Sequence, residues 1–426
     1  MSENEQVDVI IVGGGLAGLS CAYMLAKAGK EVVVIERGAS CGEKNMTGGR
    51  VYIYPLLEMF GKDMLKEAPF ERVIVKEQIV MVNGKASTTI DYTDYGFEDV
   101  PQSYSLLHAV FDPWLAEQAE NAGAMIANGV LVEDLIEKDG KIVGVKTNED
   151  EMYADLVIAA DGVNSFMAQK AGIRDDLKLK ELGIGVKEVI ELPEETIAER
   201  FGLSGNEGAA RLYVGAVPGV SGGCSLYTNR NSISVGMVLN PKSISEQKES
   251  LHELMQDFKM NPAVQPFIEG GKTVEYSAHL VSEGGYHDAL QTPYRAGLLV
   301  IGDAAGFVIN MGNTIRGCDL AIASGMAAAK AYITDSNSDT VGPMYKKELE
   351  KVIFPTMKIY AGFPKVMELQ RMYTAYPMLA NKIMESLFSV DGTIPEKMPK
   401  VIMKTIKQGC GFSALIADGW KAVKSL

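Results

Sequence analysis

Gly13, Gly15, Gly18 and Glu36 are the residues whose types and spacing first suggest chemistry. The glycines stand at the intervals of a G-x-G-x-x-G turn, and each has its own reason to be there. Gly13 permits the tight turn, Gly15 lets the backbone approach a pyrophosphate, and Gly18 lets the next helix pack closely on a sheet. Leu16 and Ala17 open that helix, whose N-terminus offers free N–H groups and a partial positive charge to phosphates. Glu36 supplies a carboxylate that can accept hydrogen bonds from ribose hydroxyls. A glycine turn alone is weak evidence, because an unrelated α/β domain can carry one. Here an apolar run (7–12), the glycines, a helical stretch, a second apolar run (32–35) and then Glu36 follow in the order of a βαβ dinucleotide unit starting near Asn4. On these residues the ligand is FAD or NAD.

The loop 38–54 follows directly. Asn45, Thr47 and Arg50 stand among glycines, Gly48 included, that expose backbone N–H groups. Such a loop is either simply solvated or lies along the nucleotide, and its place after Glu36 favours the second reading. Two more junctions of apolar strand and polar turn occur far downstream. Residues 153–160 run into Asp161-Gly162, and residues 297–301 run into Gly302-Asp303. After the latter come Asn313 to Asp319, including Arg316, Gly317 and Cys318, and a helix of small residues over 320–333. A nucleotide domain that the chain leaves and re-enters separates FAD folds from most NAD-only folds, whose strands are nearly continuous.

The elements that position these residues divide the chain in three. The expected class is α/β: a discontinuous FAD-binding Rossmann-like domain (1–60, 104–172 and 295–345), an antiparallel-sheet domain (61–103 and 173–294), and a helical C-terminal region (346–426). Asn83-Gly84 and Asp139-Gly140 mark hairpins, the second joining 132–137 to 141–147. Residues 111–122 read as an amphipathic helix, 182–192, 209–217 and 223–239 as antiparallel strands, and 243–259 as one helix.

Bulk properties narrow the function. The chain has 426 residues, 47% hydrophobic and 23% charged, and a net charge of −14 that argues against a nucleic-acid partner. Its five cysteines are scattered, with no C-x-x-C pair, so neither a disulfide framework nor an iron–sulfur motif is expected, and a reducing compartment fits. The four histidines have no metal-site spacing, so no metal site is expected. The first six residues lack the basic region of a secretory signal, and no transmembrane helix is expected, since the apolar stretch 7–26 is interrupted by Asp8 and the glycines. From residue 351 onward eleven Lys and Arg face five Asp and Glu, a local net of +6 in helices expected to be broken by Pro364, Pro377, Pro395 and Pro399. That region reads either as a cap on the core or as a basic, apolar face toward a membrane or a partner.

Gly13-Gly15-Gly18 with Glu36, Asp161-Gly162 and Gly302-Asp303 together resemble the FAD-dependent oxidoreductases of the para-hydroxybenzoate hydroxylase and geranylgeranyl reductase class. The loop Lys44 to Tyr52, Glu283-Gly284-Gly285-Tyr286, Gly302 to Phe307 and Thr314-Ile315-Arg316-Gly317 are similar to the FixC family, relatives of electron-transfer-flavoprotein:quinone oxidoreductase. The resemblance implies an FAD enzyme without a catalytic nucleophile, in which the flavin does the redox chemistry. It implies that Gly13, Gly15 and Gly18 hold the pyrophosphate, Glu36 the adenosine ribose, and that Arg37 lies near the adenosine. Val132 would meet adenine through its backbone, Asp303 the ribityl or pyrophosphate, and Arg316, Gly317 and Cys318 the isoalloxazine. A helix N-terminus there, with Arg316 adding to its field, would favour reduced flavin and raise its potential.

Two departures stand out. Relatives often carry an arginine four residues before Asp112, where this chain has His108. The larger quinone oxidoreductases end in a four-cysteine iron–sulfur domain, which this sequence lacks. The resemblance therefore implies a cytoplasmic electron-transfer subunit, peripheral on the inner face of the cell membrane. Its implied partners are the electron-transfer-flavoprotein alpha and beta subunits, a ferredoxin-like iron–sulfur subunit and a membrane quinone. The alternatives are a geranylgeranyl reductase-type saturase of prenyl lipids and a non-catalytic, flavin-holding scaffold.

Overall fold

The computed structural model describes residues 6–311 and 314–425, so the first five residues, Asn4 among them, and Asn313 lie outside it. Five parallel strands form the centre of the first sheet, in the spatial order Met125–Asn128, Val32–Glu36, Gln6–Val12, Glu151–Ala159, Leu298–Val300. In chain order this is 3-2-1-4-5, and the order reverses beside Gln6–Val12. Such a reversal opens a crevice at the carboxyl ends of the strands. The five residues of Val32–Glu36 are all buried, as a parallel strand covered on both faces requires. The hairpin Val132–Lys138 and Lys141–Thr147 extends this sheet by antiparallel pairing to Glu151–Ala159.

Two helices cover one region of the sheet because their contact is made of very small residues. Leu16–Lys27 carries Ala17 and Gly18, and Cys318–Thr334 carries Gly325. A Cβ on Gly325 would lie 2.2 Å from the Ala17 carbonyl oxygen, so only glycine allows this approach.

Among the described residues the second sheet has nine strands. Its path is Lys272–Ser282, Leu182–Glu191, Ser232–Leu239, Gly222–Thr228, Glu207–Val214, Val73–Asn83, Ser103–Leu106 and Gly49–Tyr52, with Ala86–Thr93 also paired to Val73–Asn83. It is largely antiparallel, but Glu207–Val214 runs parallel to Val73–Asn83. Gly49–Tyr52 and Ser103–Leu106 hydrogen-bond to each other here, although the expected boundaries group all of them except Ser103 with the nucleotide domain. These short strands carry the loop after Glu36 across to the second sheet. This sheet has its own core, around Tyr213, Leu226, Met237 and Phe258.

Local chemistry corrects two expectations. Residues 243–259 form two helices, Pro241–Ser245 and Leu251–Met260. The second starts afresh because Ser250 and Glu253 cap it reciprocally: Ser250 Oγ accepts from the Glu253 N–H, and a Glu253 carboxylate oxygen accepts from the Ser250 N–H. In the C-terminal region the prolines begin helices more than they break them. Pro364 and Pro399 occupy the first turns of Phe363–Met367 and Met398–Gly409, where a missing N–H costs nothing, and Pro377 is the third residue of Ala375–Phe388.

Candidate functional site

A cavity of about 420 Å³ opens at the carboxyl ends of Gln6–Val12, Val32–Glu36 and Glu151–Ala159. At one end it is lined by Gly13, Gly15, Leu16, Ala17, Glu36 and Arg37, with Val132, Asp161 and Gly162 beside them and Asn45 across from Gly15. The glycines there do different work. Gly13 has φ +113°, and a Cβ on it would strike the Ala160 carbonyl oxygen at 2.3 Å. A Cβ on Gly18 would lie 2.1 Å from the Gly13 carbonyl oxygen, so this residue sets the closeness of helix to turn. Gly15 faces open space, with only the Asn45 side chain within 4 Å. The Glu36 carboxylate accepts hydrogen bonds from the N–H groups of Gly14 (2.8 Å) and Gly38 (2.6 Å). It thus braces the loop on both sides of itself and keeps lone pairs for a ligand.

Towards the other end the same cavity is lined by His108, Lys187, Tyr227, Asp303, Gly317 and Cys318. A smaller chamber of about 90 Å³ continues from this point, sharing His108, Lys187, Tyr227 and Cys318 and adding Arg50, Tyr52 and Arg316. His108 Nδ1 lies 2.9 Å from the buried Asp112 carboxylate, whose other oxygen accepts from the Asn45 amide. Burial works against a charged His108, but the Asp112 carboxylate, with a smaller contribution from Cys318, pushes it up to about 10. Lys187 donates to the Gly48 carbonyl oxygen, and burial pulls its ammonium below the usual lysine range. Asp303 is pushed up to about 6 by burial, opposed by the His108 charge, and burial alone pushes Glu283, which also lines the cavity, up to about 7.

Six expected residues do not line the larger cavity. Gly18 packs helix on turn. Gly302 (φ +61°) packs against Ala17, and its N–H donates to Ser324 Oγ at 2.9 Å. Thr47 is buried, and Gly48, at φ +65°, stands against Ser234 with no room for a Cβ. Arg50 and Arg316 line the smaller chamber and lie over the Tyr52 ring, at 4.6 and 4.9 Å. Arg50 is paired with Glu77, and Arg316 with buried Asp319 at 2.6 Å. The field expected from Arg316 is therefore largely cancelled by its own neighbour. The Cys318–Thr334 helix N-terminus, at Gly317 and Cys318, remains directed at the cavity. Lys187 and Tyr227 were not legible as site residues. A single lysine in the strand Leu182–Glu191 between Gly185 and a buried acid was the available signal.

The residues present fit a bound dinucleotide. Gly15 leaves open the space that a side chain would fill, and buried Asp161 Oδ1 has no hydrogen-bond partner among the described residues while Oδ2 accepts from the Met167 N–H.

Comparison with known proteins agrees with this geometry. Residues 6–331 match the FAD binding domain family, and residues 363–426 match the ETF-QO/FixC family C-terminal domain. The structure is similar to a geranylgeranyl bacteriochlorophyll reductase-like protein from Thermoplasma acidophilum, with a TM-score of 0.72, 21% identity and coverage of 97% of this chain and 98% of that one. Fold and family match thus define an FAD-binding oxidoreductase with an α/β nucleotide domain, a second sheet and C-terminal helices. Protein FixC of Escherichia coli (strain K12) is 45% identical over 426 residues, covering 98% of this chain and 99% of the relative. The probable electron transfer flavoprotein-quinone oxidoreductase YdiS of the same strain is 40% identical over 432 residues, covering 99% and 100%. This chain belongs to the FixC family and is an FAD-dependent oxidoreductase of electron transport.

Proposed function

We propose that this protein takes electrons from an electron-transfer flavoprotein, with a separate ferredoxin-like subunit as intermediary, and delivers them to a membrane quinone. The observation that carries this reading is the continuity of the two cavities. The cavity that would seat a dinucleotide on Gly13 and Gly15 reaches Asp303 and Cys318, and the smaller chamber meets it there, walled by Tyr52, Tyr227 and Leu212. A flat ring of quinone type suits an aromatic and guanidinium-lined slot of that kind. Bound FAD would supply two-electron redox chemistry. The protein's part is to hold and screen: Gly13, Gly15, Leu16 and Ala17 the pyrophosphate, Glu36, Arg37 and Val132 the adenosine, Asn45, Asp161, Gly162 and Asp303 the middle, with Gly18, Thr47, Gly48 and Gly302 packed outside the cavity and fixing the turns that line it. Gly317 and Cys318 border the reactive end, and Arg50 and Arg316 the acceptor.

The C-terminal helices suit a membrane surface. Among the described residues no helix is long and apolar enough to cross a membrane. Yet Val390 and Ile394 are 93% and 95% exposed, and Ile416, Trp420 and Val423 are exposed as well, next to Lys397, Lys400, Lys421 and Lys424. Exposed apolar side chains with lysines nearby in the sequence favour the anionic inner face of a cell membrane. The test is to mix reduced holoprotein with a water-soluble quinone and oxidised holoprotein with reduced electron-transfer flavoprotein, and to float the protein with anionic vesicles. Rapid oxidation by quinone and salt-sensitive flotation are expected. Prenyl-lipid reduction without quinone activity would overturn the reading in favour of a saturase, and a flavin that does not turn over would leave a scaffold.

A further inference from the structure

Lys187 is a cation at this site with no acidic partner among the described residues. It lines both cavities at their junction, and among the described residues no carboxylate lies within ion-pair distance of its amine. Among the described residues its amine donates to the uncharged carbonyl oxygen of Gly48. An ammonium held this way is costly, and a protein keeps such a group where it has a task.

The surroundings are shaped to admit it. Lys187 pairs across the sheet with Gly236, and a Cβ on Gly236 would lie 3.0 Å from Lys187 Cγ. A Cβ on Gly49 would lie 3.8 Å from Nζ and 3.9 Å from His108 Nε2, so the amine and the imidazole flank one spot at the junction. Among the described residues, the titratable groups at that junction are His108 with Asp112 behind it, Cys318 and Tyr227, with Asp303 on the side of the larger cavity and Arg50, Tyr52 and Arg316 on the side of the smaller chamber. His108 has a carboxylate 2.9 Å away and keeps its proton, a standing charge. Lys187 has none and gives its proton up more readily. Their environments act in opposite directions, Asp112 raising the proton affinity of His108 and burial lowering that of Lys187, so His108 suits the role of fixed charge and Lys187, at the junction of the two cavities, that of proton donor.

We propose that Lys187 is the proton donor to the carbonyl oxygen of the acceptor seated in the smaller chamber. The inference rests on the quinone reading above. In the balanced step a quinone gains two electrons and one proton from the reduced cofactor and a second proton from Lys187 Nζ. The quinone leaves as quinol, and the neutral amine is reprotonated from solvent.

The test compares two oxidants on reduced, FAD-loaded protein in rapid mixing. One is a water-soluble quinone, which needs protons; the other is ferricenium, which takes an electron and no proton. Lys187→Met is expected to slow oxidation by quinone about 100-fold or more, to leave ferricenium unchanged, and to regain part of the quinone rate with added methylamine. Lys187→Arg is expected to fold and to remain slow with quinone, since guanidinium holds its proton. Independently, the 15Nζ signal of lysine-labelled holoprotein that disappears in Lys187→Arg is expected to titrate below the ordinary lysine value of about 10.4. Equal loss with both oxidants, an unchanged quinone rate, or an ordinary titration would overturn the role of Lys187. Wild-type protein that ferricenium oxidises and quinone does not would instead overturn the acceptor reading.

Discussion

The two ends of the larger cavity are built on opposite plans. The end at Gly13 and Gly15 is made mostly of backbone, built on one short run of the chain that Val132, Asp161 and Gly162 join from farther along, and its carboxylate Glu36 is tied to two N–H groups. The end at Lys187 is made of titratable side chains from a helix start, a strand, a loop and a second helix start, all distant in sequence. A backbone end is rigid and indifferent to pH, and it suits a nucleotide handle that does not react. An end built of ionisable side chains can exchange protons, and it suits the place where charge changes.

Substitutions can break this contrast. The largest effect is expected from Gly18→Val. Its Cβ would sit 2.1 Å from a carbonyl oxygen of the turn, and overpacking that moves a backbone costs at least about 3 kcal/mol. Soluble yield and thermal unfolding should both collapse. Gly15→Val should fold and emerge colourless, because its side chain enters the space of the pyrophosphate rather than the core; bound flavin per chain, read by absorbance, is the check. A fully yellow Gly15→Val protein would erase the distinction between the two glycines.

At the side-chain end, Asp112→Asn should make stability depend on pH differently. His108, at about 10 in the folded chain, stands above its unfolded value of about 6.5. Proton binding therefore favours the folded state: the contribution is complete below pH 6.5 or so and fades as pH rises toward 10. Removing Asp112 should cost about 3 kcal/mol near pH 6 and much less near pH 10, measurable by urea unfolding at both. The smallest effect is expected far from either end. Arg371 makes a two-toothed pair with Asp418 (2.7 and 2.8 Å), and Tyr376 donates to the same carboxylate. Arg371→Ala should loosen the helix Phe412–Ser425, seen as faster amide exchange there, with flavin content unchanged.

The same contrast explains what the sequence made legible. Strand, glycine turn, helix, strand and acid lie within one contiguous run, so local spacing alone exposes the first end. The later junctions at Asp161 and Gly302 were visible because apolar runs stop abruptly at Asp-Gly and Gly-Asp. Lys187 was hidden because its meaning depends on facing Gly236 across a sheet and His108 across two domains. Arg316 was legible as a charge near the reactive end, but not as one already balanced by Asp319, since the pairing depends on how the Cys318–Thr334 helix begins. Likewise the capping box at Ser250, visible in the residues themselves, outweighed the continuous helical periodicity around it.

The parallel pairing of Leu298–Val300 with Glu151–Ala159 has a consequence for biosynthesis. The first strand emerges from the ribosome at the start of translation, but the sheet it belongs to is incomplete until the chain has passed residue 300. The intervening second-sheet segments must be made meanwhile, and the helix that closes over Ala17 is later still. Non-local pairings of this kind fold slowly and leave apolar strands open to misassembly. Nascent chains stalled before residue 298 should therefore stay chaperone-bound and protease-sensitive, and release of the Cys318–Thr334 helix should mark the moment when the nucleotide domain closes.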